Sequence, residues 1–128
     1  MAEFIVDEVV GGLHFREDWV SENAFMVGEN TVYIVFQGSE RETLTDGQRV
    51  AYLYAVEHLE DLLKAAVASL NELPEDVLES LIFVSLYFRR NGQYGFLIEC
   101  EGFEDDGLAI VFNNKGEIVD IGGHDLLI

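Results

Sequence analysis

Cysteine occurs once in these 128 residues, as Cys100, so no internal disulfide can form, and a reduced, cytoplasmic setting is the expectation. Proline also occurs once, at Pro74, and no Ser/Pro-rich linker, repeat or low-complexity tract divides the chain. A single domain over residues 1–128 follows, because chains of this length commonly enclose one core. Basic residues are scarce: 7 Lys+Arg stand against 25 Asp+Glu, a formal net charge of −18 at pH 7. Direct binding to nucleic acid or to an anionic membrane is disfavoured, since the long-range field has the wrong sign. Long apolar runs are missing too. The stretch from Leu81 to Phe88 is too short to span a bilayer. The opening Met1-Ala2-Glu3-Phe4 lacks the basic and apolar regions of a secretory leader, which favours an unsecreted protein. Neither Gly11-Gly12 nor Gly122-Gly123 has the spacing of a phosphate-binding loop, and both read as turns.

What is present is a core and a surplus of carboxylates. Apolar residues make up 49% of the chain, with 9 Phe and 5 Tyr, which excludes disorder as the main state. Divided at Leu44 and Leu81, the thirds carry net charges of −7, −6 and −5, so no acidic tail holds the excess. Spread over an accessible surface of about 6,800 Å², this is roughly one net charge per 380 Å². B-DNA carries about one per 100 Å². Mimicry of nucleic acid would therefore need a concentrated patch, whereas attraction of a cationic partner needs only the field.

The pattern predicts an α+β fold. Short β-branched and aromatic runs between Gly and Asn punctuate the first third, which reads as an antiparallel meander with a hairpin turn at Val27-Gly28-Glu29-Asn30-Thr31. Thr45 and Gln48 then form a capping box that opens a helix. Tyr52, Val56, Leu59, Leu63, Ala66 and Leu70 step by 4, 3, 4, 3 and 4 and give one long helix an apolar stripe, with Glu57, Asp61 and Lys64 on the far side. Pro74-Glu75-Asp76 opens a short second helix ending near Ser80. Hairpins return at Asn91-Gly92, where a two-residue type I′ turn is expected, and at Asn113 to Gly116. The expected architecture is an antiparallel sheet, from the N-terminal meander plus the C-terminal hairpins, with one long and one short helix packed on one face. A two-residue turn at Asn91-Gly92 would set Tyr87 opposite Phe96, Ser85 opposite Ile98 and Phe83 opposite Cys100, all facing the helix. Phe88, Leu86, Leu97, Val84 and Ile82 would take the other face.

Five acids, Glu99, Glu101, Glu104, Asp105 and Asp106, crowd one segment with no basic residue among them, and Asp125 follows near the C-terminal Gly122-Gly123-His124. Glu104 to Gly107 lacks the alternating order of a calcium loop, so no metal or cofactor is expected. His14, His58 and His124 are isolated in the sequence, Cys100 reads as a small core residue, and Trp19 reads as the edge of the core before it reads as an interface anchor.

Thr45 to Tyr52, Glu99 to Phe112 and Val119 to Asp125 together resemble a family of small bacterial domains of unknown function. Its pattern is an N-terminal strand meander, a helix opening with T/S-x-x-Q, an acidic E-x-E and D/E-x-x-G-L edge, and a terminal I-G-G-x-D. Gly102-Phe103 and His124 depart from it. Related domains occur among immunity proteins of bacterial toxin systems, which neutralise a toxin by binding it. The resemblance implies no catalytic residues. The leading expectation is a non-catalytic acidic protein, of the immunity type, that binds a basic partner through Glu99, Glu101, Glu104, Asp105, Asp106 and Asp125 beside an apolar patch. A small metal-dependent hydrolase using the same acids and His124, and a structural homodimer joined by sheet faces, are the alternatives left open.

Overall fold

A computed structural model describes residues 3–71, 75, 81–99 and 107–128. Eight strands form one sheet in sequence order: β1 (Phe4–Asp7), β2 (Gly11–Arg16), β3 (Asp18–Val27), β4 (Asn30–Phe36), β5 (Ile82–Phe88), β6 (Tyr94–Glu99), β7 (Leu108–Phe112) and β8 (Ile118–Gly122). Each neighbouring pair is antiparallel except β4–β5, which is parallel. The mixed sheet corrects the purely antiparallel expectation, and the connection explains it. The helical segment leaves the end of β4 and delivers the chain to the start of β5, as a parallel pair requires. The hairpin at Gly28-Glu29 forms as expected, with Val27 paired to Asn30 and Gly28 at φ 61.

The helical segment is two helices, α1 (Asp46–Glu57) and α2 (Leu59–Ser69), where one long helix was expected. His58 leaves helical geometry at φ −111, ψ 19, while backbone bonds continue across it from His58 to Tyr54 and from Leu62 to His58, both at 3.0 Å. Its ring stacks on Tyr54 at a centroid distance of 4.1 Å, and its Nδ1 lies 2.9 Å from the Tyr54 carbonyl oxygen. The result is a kink. The buried stripe is Gln48, Ala51, Ala55, Leu62, Ala66 and Leu70, so the expected stripe was rotated: Val56 is exposed, and Tyr52, Leu59 and Leu63 are half-buried. Small alanines on this stripe allow the helices to approach a sheet face rich in aromatic rings. The short helix expected from Pro74 to Ser80 lies outside the described residues except Glu75.

That face is the main core. A row of rings crosses four strands, Phe36 on Phe88 at 4.9 Å, Phe88 on Tyr94 at 5.4 Å and Tyr94 on Phe112 at 5.6 Å. Ile34, Leu86, Phe96, Ile98, Leu108 and Ile110 fill in around them. Each buried side chain of this size contributes about 1.5–3 kcal/mol relative to exposure. Trp19 is completely buried and its indole N–H donates to the carbonyls of Ser39 and Glu42 at 3.0 and 2.9 Å. It belongs to the core rather than to a docking surface.

The Asn91-Gly92 hairpin corrects the expected register. Arg89 and Gln93 close the turn, Gly92 N–H donates to the Arg89 carbonyl at 2.9 Å, and Gly92 alone takes the left-handed conformation, at φ 89. Asn91 does not, so the turn is a three-residue loop with a left-handed glycine, not a type I′ pair. Leu86 therefore opposes Phe96, and Tyr87 opposes Gly95. One residue of slip exchanges the faces: Leu86 and Phe88 meet the helices, while Ser85 and Tyr87 turn to the second face. A bulge between Phe83 and Ser85 returns Phe83 to the helix side. The β7–β8 turn has the same form, with Gly116 at φ 75.

On the second face, Leu126 and Leu127 from the C-terminal 3-10 turn (His124–Leu126) and the residue after it pack over Tyr87, Leu97, Ala109 and Val111. Burial and the neighbouring Asp18 carboxylate, which accepts from the Tyr87 hydroxyl at 3.1 Å, push the Tyr87 phenol well above its usual range.

Candidate functional site

Strand direction assigns the charged side chains to opposite ends of the sheet. At one end β4 and β5 finish and β6 begins; at the other β6 finishes at Glu99 and β7 begins at Leu108. All seven basic residues are among those described. Arg89 and Arg90 lie in the β5–β6 turn, Lys115 in the β7–β8 turn, Arg41 between β4 and α1, and Arg16 beside the β2–β3 turn, all at the first end. Arg49 and Lys64 lie on the helices. Arg49 bonds Asp7 at 2.9 Å and Asp46 at 3.0 Å, and Lys64 pairs with Glu60 at 3.3 Å. At the first end Arg90 also pairs with Glu42 at 3.4 Å. The amide and hydroxyl of Ser39, with Arg90 nearby, hold the Glu42 carboxyl below its ordinary range.

Although Arg49 reaches Asp7 at the end of β1 from α1, the turns and strand termini of the second end carry no basic residue among those described. Its carboxylates begin with Glu99, the exposed last residue of β6. The chain returns at Gly107, at φ 64, where Leu108 pairs with Ile98. His124 closes this end: its Nε2 lies 3.2 Å from the Ile98 carbonyl oxygen, and a Cβ built on Gly107 would meet the His124 ring at 2.8 Å. Asp125, exposed, follows His124. Glu99 and Asp125, separated in sequence, are thus brought to the two strands that bound the acid-rich connection. Glu101, Glu104, Asp105, Asp106 and Cys100 lie outside the described residues; the expected pairing of Phe83 with Cys100 is corrected, since Phe83 opposes Ile98 in the shifted register.

The remaining singled-out residues have structural partners. His14 Nε2 lies 3.1 Å from Glu22 Oε1 and its ring packs on Phe4 at 4.8 Å. Tyr52 lies against Phe36 and Phe88, and burial raises its phenol. Tyr54 donates to the Lys115 carbonyl at 2.7 Å. Among the described residues no three His, Cys, Asp or Glu side chains converge on a point where they would ligate a metal, and no helix is long and apolar enough to cross a membrane.

Sequence reasoning missed three features. Asp7 accepts from the amides of Val9 and Val10 at 2.9 and 3.1 Å and from Arg49, binding the β1–β2 turn to α1. Burial works to raise its carboxyl, but those two amides and the guanidinium outweigh it and hold Asp7 below its usual value. Gln48 is completely buried and joins α1 to the ends of β4 and β5 through the carbonyls of Gln37 and Phe88. The third is a groove of about 590 Å³ between α1 and the β5–β6 and β7–β8 turns, walled by Val50, Tyr54, Tyr94, Phe112 and Val119. Its signal was available: Val50 and Leu53 lie off the buried stripe, so α1 is apolar on its outer side as well.

Comparison of this chain with models of protein families, with curated proteins and with solved structures found no match.

Proposed function

We propose that this chain is a non-catalytic binding protein whose anionic sheet end captures a basic protein partner. The observation that carries the reading is the division of charge. Arginine and lysine offset the carboxylates at the end of the β5–β6 turn, whereas Glu99 and Asp125 flank a connection with four further acids and no basic residue accompanies them. Unscreened carboxylates gathered at one end speed encounter with a cationic surface, and steering of this kind raises association rates from about 10⁵–10⁶ toward 10⁸–10⁹ M⁻¹s⁻¹ at low salt. Lasting affinity then comes from apolar contact. The finer form of the proposal is an immunity-type inhibitor of a basic bacterial toxin, acting in the cytoplasm, and it rests on the resemblance carried by the Thr45, Glu99 and Val119 segments.

The test is capture from a lysate of the source cells by the wild-type chain and by a Glu104→Lys, Asp105→Lys, Asp106→Lys variant, followed by association kinetics with the captured protein. The expected partner is basic, and the variant associates roughly tenfold more slowly with a shallower salt dependence. Equal rates for the two chains, or association indifferent to salt, would refute the proposal.

A further inference from the structure

Tyr94 gives the groove between α1 and the two C-terminal turns a polar group in need of a partner. It lines the groove, is 1% exposed, and its hydroxyl has no hydrogen-bond partner among the described residues. Burial, with Tyr54 nearby, pushes that phenol up to about 12, so it stays a protonated donor at neutral pH. A buried donor without an acceptor costs free energy that an incoming acceptor recovers. Other polar groups of the lining have the same need. The Asn91 side-chain oxygen accepts from Gln93 N–H at 2.9 Å, and the Gln93 side-chain oxygen accepts from Arg89 Nη1 at 3.1 Å, which leaves the NH2 ends of both amides as donors. The Tyr54 hydroxyl already donates to the Lys115 carbonyl. Of the residues that line the groove Asp46 alone is charged, and Arg49 holds it at 3.0 Å. A charged ligand would lose its hydration with no unpaired charge in the lining to offset the loss. Val50 and Val119, 67% and 53% exposed on opposite walls, offer aliphatic contact, and about 590 Å³ lies within the usual range of small-molecule sites.

We propose that this groove binds an uncharged one- or two-ring molecule with a carbonyl or ring-nitrogen acceptor, the Tyr94 hydroxyl donating to that acceptor and the ring lying between Val50 and Val119. The hydroxyl lies below the groove surface, which favours a flat ring whose edge can be inserted over a bulky group. Burial of the ring against the valines supplies affinity, and the donors supply selection, because a ring without an acceptor leaves Tyr94 unsatisfied. The site is at the opposite end of the sheet from Glu99 and Asp125, and it stands independently of the basic-partner reading.

The probes are quinoline, isoquinoline and coumarin, each uncharged near neutral pH and carrying an acceptor, with naphthalene as the two-ring control that lacks one. Each is titrated into the ¹⁵N-labelled chain. Expected are amide shift changes concentrated at Val50, Asn91 to Gln93 and Val119, with at least one acceptor probe binding at about 1 mM or tighter. That probe binds about fivefold more tightly than naphthalene. Tyr94→Phe removes the hydroxyl without stranding a partner, so its unfolding midpoint does not fall; it weakens the acceptor probes about fivefold and leaves naphthalene unchanged. Val50→Ser, at an exposed position, weakens every probe. N-methylquinolinium and quinoline-2-carboxylate, the cationic and anionic analogues, bind more weakly than quinoline. Equal binding of naphthalene and the acceptor probes, a loss of stability in Tyr94→Phe, or tighter binding of either charged analogue would overturn the proposal. So would shifts confined to the cavity lined by Tyr33, Val35 and Ser85, or no saturable shift with any probe up to about 5 mM. None of these outcomes bears on capture of a basic protein, whose test alters Glu104, Asp105 and Asp106.

Discussion

Replacing Gln48 tests the joint on which both the fold and the groove depend. This side chain is completely buried at the start of α1. Its carbonyl oxygen accepts from Thr45 N–H at 2.9 Å, and its amide donates to the Gln37 carbonyl at 2.9 Å and the Phe88 carbonyl at 3.2 Å. Gln37 and Phe88 lie at the finishing ends of the parallel strands β4 and β5, so one side chain fixes the helix start to the sheet. Gln48→Ala removes these three bonds and a longer one, at 3.4 Å, that the Gln48 carbonyl oxygen accepts from Arg90. The Phe88 carbonyl keeps its bond from Gln37 N–H at 2.8 Å, but the Gln37 carbonyl and the Thr45 amide each lose a partner. At about 1 kcal/mol for the bond to the Phe88 carbonyl, which stays satisfied, and 1–3 for each of the two groups left unsatisfied in the interior, the variant loses about 3–7 kcal/mol. Thr45→Ala, which removes only the cap bond to Gln48 and the bond to the Arg90 carbonyl at 2.8 Å, costs about 1–2 kcal/mol. Gln48→Glu adds a sign. Burial raises the introduced carboxyl above its unfolded value, so its contribution is retained at low pH and lost as pH rises through the folded value. The gap from wild type is therefore smaller near pH 4 than near pH 8. Urea unfolding followed by far-ultraviolet circular dichroism and by the fluorescence of Trp19 measures all three. A loss for Gln48→Ala below about 1 kcal/mol, or equal to that of Thr45→Ala, would refute the bridging role.

Three further substitutions probe the strands and their turns. Asp7 sits below its ordinary carboxylate value, so its stabilisation is present above the unfolded value of about 3.9 and disappears as pH falls through the lower folded value. Asp7→Asn should cost about 2–4 kcal/mol at pH 7, by analogy with breaking a largely buried ion pair, and the difference from wild type in urea unfolding should shrink below pH 4. A constant difference would show that the carboxylate charge is immaterial. At Gly95 an added Cβ would collide with the Ile110 carbonyl of β7, which is backbone and cannot swing aside. Gly95→Ala should therefore lose more than about 4 kcal/mol. Gly28→Ala meets open space and suffers only its φ of 61, so it should lose about 1–2 kcal/mol. Similar melting temperatures for the two would contradict the β6–β7 spacing.

Local signals in the sequence were the readable ones. The Thr45/Gln48 capping box, the Gly28-Glu29 hairpin and the strand runs around Phe36 and Ile110 are each written within a few neighbouring residues, and each is present. The partners of long-range contacts were not readable. Nothing adjacent to Asp7 announces Arg49, and nothing adjacent to Gln48 announces the carbonyls of Gln37 and Phe88. The helix stripe was misplaced because hydrophobicity was taken as burial. Val56 is apolar and exposed, whereas Gln48 is polar and buried because all its bonds are made. For the candidate site, the sequence displayed the acids Glu99 and Asp125 but could not bring them to one end of the sheet. That required the course of β6 and β7 and the seating of His124 against Ile98 and Gly107.

The misread turn at Asn91-Gly92 has the widest consequence, because its length decides which residues reach the groove. A two-residue type I′ turn demands positive φ at both positions; the three-residue loop demands it only at Gly92, and Gly92 alone supplies it. The extra residue turns Phe88 and Leu86 toward α1 and sends Tyr87 to the second face. Tyr94 is thereby paired with Phe88 and stacked between it and Phe112, in the wall of the groove. The shorter turn would oppose Tyr87 with Phe96 and seat Tyr87 beneath the helix, where its bond to Asp18 across the second face could not form. One residue of turn length thus links a backbone dihedral to the wall of the groove between α1 and the two C-terminal turns.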